Sequence, residues 1–596
     1  MDDDSTLRYY ESEMRYLTEA GREFAKANPD RARMLNLDRV GERDPYVERL
    51  FEGFAFLVGR LRQKLDDELP EITEALVSLL WPHYLRMLPS LSILELVPDF
   101  GTLQKRETIP ADIEVRSDPI GPEGTRCTYR TTWPVDLLPL HLKAASAGMR
   151  EDGRSTIRLT FQIEAQSRQN TLSVPYLRLY LNADRPVAMA LHLALTRHVD
   201  DIVLRLRDGH NEVRDGEPRS LPDAYFATAG FSAEERLWPK ADNSFGGYQL
   251  LLEYFSFPEK FLFIDLHGID LAALAPSVTE FEVEVVLNQT YPSDLRFSEK
   301  NIRLFCTPII NLFRMDAEPI RVDHHATSYV VRPRLRHGEH VETYSVDGVD
   351  AHDHASGDRV EYVPFSSFKH RGGMLRHEAP ERYYHARVQQ GVKGLYETWL
   401  VLGGHAWENA EALPRETLSL RVTGTNGMLP RKGLREAGIN EMGKGISNVV
   451  CVRNLVSPTL PLHPPTGDRY QWRILSHLAP NYLSQLDAEI LRGTLALYDW
   501  TNGEMNRRRL DGIQKVTRKG QRKVMKGAVE RGTQIEVTLD SHAFAGEGDM
   551  MLFGEMLHRF FELYADVNHF TQLVIVSLPT QERIEWPASK SDRSPL

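Results

Sequence analysis

IRLTFQI, residues 157–163, puts Ile157, Leu159, Phe161 and Ile163 at every second position, with Arg158, Thr160 and Gln162 between them. Successive side chains of a strand point to opposite faces, so this stretch predicts a β-strand with one buried face and one polar face. The same period returns at Leu177, Leu179 and Leu181, and again at Phe281, Val283, Val285 and Leu287. From about residue 91 onward the chain therefore reads as strand-dominated. Helical or irregular pieces interrupt it, such as PVAMALHLALTRHV from 186 and YQLLLEYFSF from 248, so the class is α+β rather than a pure sandwich.

Upstream of residue 90 the period lengthens. In DPYVERLFEGFAFLVGRLRQKLDDEL, 44–69, Leu50, Phe54, Leu57, Leu61 and Leu65 recur at helical spacing and form one apolar stripe. Asp44 is placed to cap the first free backbone donors, and Pro45 sits where its missing N–H costs nothing. A second helix, PEITEALVSLL, is predicted from Pro70 and must end near Pro82. Short helices with apolar faces require one another or a partner, so this region is expected to serve assembly.

A chain of 596 residues is too long for one hydrophobic core. The expected organisation is multidomain: an N-terminal helical region over 1–90, β-rich domains over 91–335 and 336–469, and a C-terminal α+β unit over 470–596. The boundary near 335 rests on RLRHGEHVETYSVDGVDAHDHASGDR, 334–359, whose Gly and His content reads as a hairpin or surface loop. The C-terminal unit rests on two helical stretches, QWRILSHLAPNYLSQLDAEILRGTLALYDW from 471 and GDMMLFGEMLHRFFELYADVNHF from 548, around a basic strand region at 505–540.

Composition excludes several classes. Apolar residues make up 41% and charged residues 26%, as in ordinary globular chains, and a net charge of -12 speaks against nucleic-acid partners. Cys127, Cys306 and Cys451 are too far apart to write a disulfide framework or a metal knuckle, which fits a reducing compartment. The start MDDDSTLRYYESEMRYL has acid where an export signal needs base, and no segment offers the roughly 20 apolar residues that cross a bilayer. A cytoplasmic protein without direct membrane insertion is expected.

The motifs that could carry chemistry fail on context. GINEMGKGIS, 438–447, spaces Gly438, Gly443 and Lys444 like a phosphate loop, but position 445 is Gly where Ser or Thr must hold magnesium. The SNVVCVRNLV that follows suits a strand rather than a helix. His324, His325, His337, His340, His352, His354, His370, His377 and His385 crowd one stretch, 324–385, without the helical pair that marks a zinc site. Asp350, His352, Asp353 and His354 could catch an ion, but a solvated loop is the better reading. Between 505 and 531 ten basic residues face Asp511 and Glu530, with no aromatic side chain to stack on bases, so an acidic protein neighbour or solvent is expected there. No nucleophile elbow is present. No catalytic, cofactor-binding or metal-ligating residue is therefore assigned, and no cofactor is expected.

LFCTPIINLFRMDAEPIRVD, 304–323, is distinctive. The series Cys306, Thr307, Pro308, Asn311, Leu312, Phe313 and the following Ala317, Glu318, Pro319, Ile320 resemble a signature of the TssF family, baseplate subunits of the bacterial type VI secretion system. The resemblance continues in order through YYESEMRYLTEAGREFAKANP (9–29), DPYVERLFEGFAFL (44–57), LWPHYLRMLPSLSI (80–93) and LLLEYFSFPEKFLFIDL (250–266). It extends into WRILSHLAPNYLSQL (472–486) and FAGEGDMMLFGEMLHRFFELYADVNHFTQL (544–573). Ala479 and Pro480 depart from the pattern, and the His-rich and basic stretches match no motif of it.

The resemblance implies a structural wedge protein, not an enzyme. It implies assembly with TssG (two TssF copies per TssG), TssK and TssE around the VgrG hub, self-association within the wedge, docking at the inner-membrane secretion complex through partners, and a relay of the contraction trigger by interface repacking. The competing readings are a wedge of a contractile phage tail or extracellular injection particle, and a nucleotide-dependent enzyme using Lys444. Pro308 and Pro319 are expected to stop regular structure on either side of NLFRMDAE, making it a rigid connection. Cys306 is expected to be a buried small hydrophobe rather than a nucleophile.

Overall fold

The computed structural model describes residues 10–11, 13–17, 20, 46, 49–59, 77, 82–121, 123–164, 172–208, 218–238, 246–274, 278–322, 326, 328–334, 341–353, 357–365, 382–390, 396–404, 416–434, 438–443, 449–465, 473–474, 486–525, 528–563 and 569–590. The chain divides into two compact units: residues 1–85 with 468–476, and residues 86–467 with 477–596.

In the first unit the described residues at 10–20 and 46–59 are helical, and a short 3-10 turn occupies Pro82–Leu85. Residue 46 is already helical, as the cap at Asp44 predicts; Asp44 itself, Leu61 and Leu65 lie outside the described residues. So does most of the helix expected from Pro70, of which Val77 is helical and buried.

The second unit is a mixture of helix and strand in which strands dominate. One sheet has six antiparallel strands, ordered Ile439–Met442, Glu114–Ser117, Thr128–Thr131, Cys306–Ile310, Leu91–Pro98 and Val449–Asn454. Residues near 440–454 thus extend both edges of a sheet whose other strands lie before residue 311. A second sheet contains the stretch that opened the sequence reading: Ser155–Ile163 pairs with Val278–Leu287, setting Phe161 opposite Phe281 and Leu159 opposite Val283. The two Phe rings stack 5.0 Å apart, and Ile157, Leu159, Phe161, Val283 and Val285 are fully buried. The other face of this sheet is ionic. Glu284 has no exposed side-chain surface yet receives Arg150, Arg158 and Arg205 at 3.1, 3.4 and 2.8 Å. Burial pushes its carboxyl up, and the three guanidiniums outweigh that and hold it below the usual range.

Of the two readings of 334–359, hairpin or surface loop, the described residues fit the hairpin. Glu342–Asp353 is twelve residues long and pairs with both Arg359–Pro364 and Glu416–Thr425 in the eight-stranded sheet. Register shifts between Thr343 and Ser345 and between Val346 and Gly348 break its alternation, so Tyr344, Val349 and Ala351 reach the core out of step. A bulge inserts one residue and resets the period, which is why the sequence pattern reads as irregular.

At the C-terminal end, Ala528–Asp540 and His569–Leu578 run parallel, joined by the helix Glu547–Glu562. A parallel pair needs such a crossover. That helix packs on its own sheet and also on the helices Arg185–Arg197 and Gly246–Ser256, whose bounds lie within two residues of the stretches read as helical or irregular. Gly548 allows the approach: a Cβ there would stand 2.3 Å from the Met189 carbonyl oxygen. The stretch 505–531, expected to be all strand, begins as the helix Glu504–Asp511, and the strands Ile513–Met525 and Ala528–Asp540 follow.

Candidate functional site

The signature Cys306–Phe313 joins two sheets. Cys306–Ile310 lies between Leu91–Pro98 and Thr128–Thr131, and Phe313–Asp316 belongs to the eight-stranded sheet, so only Asn311 and Leu312 connect them. The expected stop at Pro308 is not there: the residue sits within the strand, opposite Ile93. Its carbonyl accepts from the Thr132 N–H at 3.0 Å, so its ring nitrogen faces the same side, just past the end of the pairing of Ile309 and Ile310 with Thr131 and Arg130. A missing donor costs least at such a margin.

Asn311 is fully buried and uses its whole amide. Its Nδ2 donates to the Thr128 carbonyl at 2.7 Å and to Asn426 Oδ1 at 2.9 Å; its Oδ1 accepts from Thr425 Oγ1 and from the Asn426 N–H, each at 2.7 Å. Its backbone N–H donates to the Ser90 carbonyl at 2.9 Å. One side chain thereby clamps the six-stranded sheet to the end of Glu416–Thr425 and to Asn426 just beyond it. Beside it, Thr307 and Trp133 exchange hydrogen bonds of 3.1 and 3.2 Å.

Cys306 is buried, and burial pushes its thiol well up, away from the thiolate a nucleophile requires. The adjacent cavity, lined by Tyr176, Arg178, Phe305 and Cys306 among others, holds about 40 Å³, room for water rather than for a substrate. The stretch 438–447 opens with the strand Ile439–Met442, and the next described element is the strand Val449–Asn454, where a phosphate loop requires a helix N-terminus. Lys444 lies outside the described residues. Asp350, His352 and Asp353 are on a strand rather than a loop, with Asp350 2.8 Å from Arg359 and 3.7 Å from Arg421. His385 is on the strand Tyr383–Gln390; His324, His325, His337, His340, His354, His370 and His377 lie outside the described residues. Among the described residues no group of three or more His, Cys, Asp or Glu is placed to hold a metal.

Two buried ion pairs escape the sequence reading. Glu253 and Lys260, both without exposed side-chain surface, form a short contact, and Gln249 and the Leu237 N–H also serve the Glu253 carboxylate. Burial brings the Lys260 ammonium down to about 8, against the opposing pull of Glu253. Arg509, read as part of a basic surface, is buried and forks onto Asp549, with Asn506 Oδ1 3.0 Å from its third nitrogen and Arg185 joining Asp549 at 3.2 Å. A signal for the first pair existed: Glu253 and Lys260 interrupt the apolar run 250–266. No local signal marks Arg509, whose partner stands 40 residues away.

The helix over 49–59 has the opposite character. Ala55 and Gly59 face inward, while Leu50, Phe54 and Leu57 are 71%, 56% and 66% exposed, with Phe56 at 47%. The described members of the expected stripe, Leu50, Phe54 and Leu57, are helical but not buried within the chain. Apolar surface repeated along one helix face in this way marks an interaction site. Among the described residues no helix is long and apolar enough to cross a membrane.

A family model described as "Type VI secretion system, TssF" matches residues 1–593. The type VI secretion system component TssF1 of Pseudomonas aeruginosa is 30% identical over 636 aligned positions, with 99% of each chain covered. A chain of the type VI TssK-TssF-TssG baseplate subcomplex, solved by cryo-electron microscopy, is 46% identical with a TM-score of 0.79, covering 92% of this chain and 100% of that one. A chain of the baseplate complex from the type VI secretion system is 46% identical with a TM-score of 0.64, covering 99% and 100%. These relatives are structural baseplate components rather than enzymes. With a signature that serves as a sheet-to-sheet clamp and a match along nearly its whole length, the chain belongs to the TssF family of the type VI secretion system.

Proposed function

We propose that this protein is a baseplate wedge subunit that assembles with TssG and TssK, two copies per TssG, and docks at the inner-membrane secretion complex only through those partners. The carrying observation is the stripe Leu50, Phe54 and Leu57, three large apolar side chains at helical spacing that are each more than half exposed. Covering such a stripe with a partner helix contributes roughly 25 cal/mol per Å² of apolar surface, which favours an oligomer over the free chain. The solved TssK-TssF-TssG subcomplex, whose TssF chain resembles this one closely, supports the choice of partners. TssE and the VgrG hub are the further neighbours we assign, together with self-contact between the two copies in one wedge.

The same reading makes the protein a relay: interfaces repack when the spike is released, and the change passes to the sheath. The type VI family match favours this baseplate over a phage tail or extracellular particle. Coexpression with TssG and TssK followed by size exclusion and mass measurement tests the proposal. One TssG with two copies of this chain is expected; elution of the chain alone, with both partners present and soluble, would overturn it.

A further inference from the structure

The strand Ile513–Met525 ends the C-terminal sheet. It pairs along its length with Ala528–Asp540, and among the described residues no strand pairs with its other side. An edge of this kind presents backbone donors and acceptors that take a further strand unless the side chains forbid it. Here the side chains are selective. Between 513 and 525 there is no Asp or Glu, while Lys515, Arg518, Lys519 and Arg522 are exposed and Lys523 reaches Gln572 Oε1 at 2.6 Å. Alternation puts Lys515, Lys519 and Lys523 on one face and Arg518 and Arg522 on the other, so both faces of the edge are positive. At the far end Val524 and Val529 stand opposite each other, 72% and 71% exposed.

We propose that this edge docks an acidic, extended segment of a partner protein, added as a further strand of the sheet. An added strand sets a residue opposite each edge residue, on the same face and about 5 Å away. Acids opposite Lys515, Lys519 and Arg522 form cross-strand pairs, whereas a basic strand meets like charge. The same charges disfavour edge-to-edge joining of two copies of the chain, because neither strand offers an acid to the other's cations. A protein segment fits better than a nucleic acid: residues 513–532 contain no Phe, Tyr or Trp on which bases could stack, and the exposed valine pair offers an apolar contact that a phosphate backbone does not use.

The test is fluorescence anisotropy with the full-length chain and a labelled peptide of alternating Glu and Val. Binding is expected, with about a tenfold loss when alternate peptide nitrogens are methylated, since that removes the ladder donors and leaves charge intact. Substituting Lys515→Glu and Lys519→Glu together, the two exposed cations on the face that the peptide's Glu residues oppose, should abolish binding of the acidic peptide and create binding of its Lys-Val counterpart, a gain that a misfolded variant would not give. Equal affinity for the methylated peptide, equal affinity for single-stranded DNA, or no binding of the acidic peptide would each overturn the proposal.

Discussion

The helix over 49–59 and the junction around Asn311 invert the usual distribution of side chains in opposite senses. The helix holds Leu50, Phe54 and Leu57 in solvent; the junction sinks an amide, two threonines and a second asparagine into the core. Each arrangement costs free energy unless something compensates it. At Asn311 the chain itself compensates, because the side-chain amide has its partners within 2.9 Å. At the helix the chain supplies nothing to the exposed face. Polar groups inside mark what the protein completes alone, and apolar groups outside mark what it leaves for another molecule.

Three experiments break or sharpen that contrast. The largest effect is expected from replacing Leu50, Phe54 and Leu57 together by Ser. If each side chain contributes about 1.5–3 kcal/mol when covered, association with TssG should fall by about three orders of magnitude or more. The melting temperature of the isolated chain should stay where it was. An unaltered complex in pull-down titrations would remove the distinction between the two regions.

Asn311→Ala should do the reverse, destabilising the isolated chain by about 3–5 kcal/mol in urea titration, because Thr128, Thr425 and Asn426 lose buried partners at once. Association, measured at a temperature where the variant is still folded, should be unchanged.

A smaller effect is expected at His192. Burial holds its imidazole down at about 4, with Glu555 pulling up and Arg197 pushing down. The unfolded ring takes its proton near 6.5, so below that pH the unfolded state binds more protons and stability falls until about pH 4; above pH 6.5 the contribution is complete. His192→Leu should remove about 2 kcal/mol of the stability difference between pH 7 and pH 5. Parallel pH profiles for the two proteins in thermal melts would contradict a neutral buried ring.

The strands at 157–163 and 281–287 and the helices near 186 and 248 were legible because their periods are unbroken and local. The strand Glu342–Asp353 was legible only as one arm of a hairpin that a surface loop could equally explain, since two bulges scramble the alternation that identifies a strand. Nor could the sequence tell that Leu91–Pro98 is flanked by Cys306–Ile310 and Val449–Asn454, because pairing across more than two hundred residues leaves no mark on local composition. Arg509 and Arg507 sit two apart in one basic run, yet one is buried on Asp549 and the other exposed; helix phase decided that, and a strand had been expected there. The apolar stripe was readable as a stripe, whereas its exposure depends on what the rest of the chain leaves uncovered.

The connection through Asn311 and Leu312 has a mechanical meaning. Two residues provide no slack, so tension on Phe313–Asp316 arrives at Ile310 before any loop has been paid out, and the amide clamp must either hold or shear. A load applied to one sheet is therefore delivered to the other as displacement, as through a riveted splice between two plates.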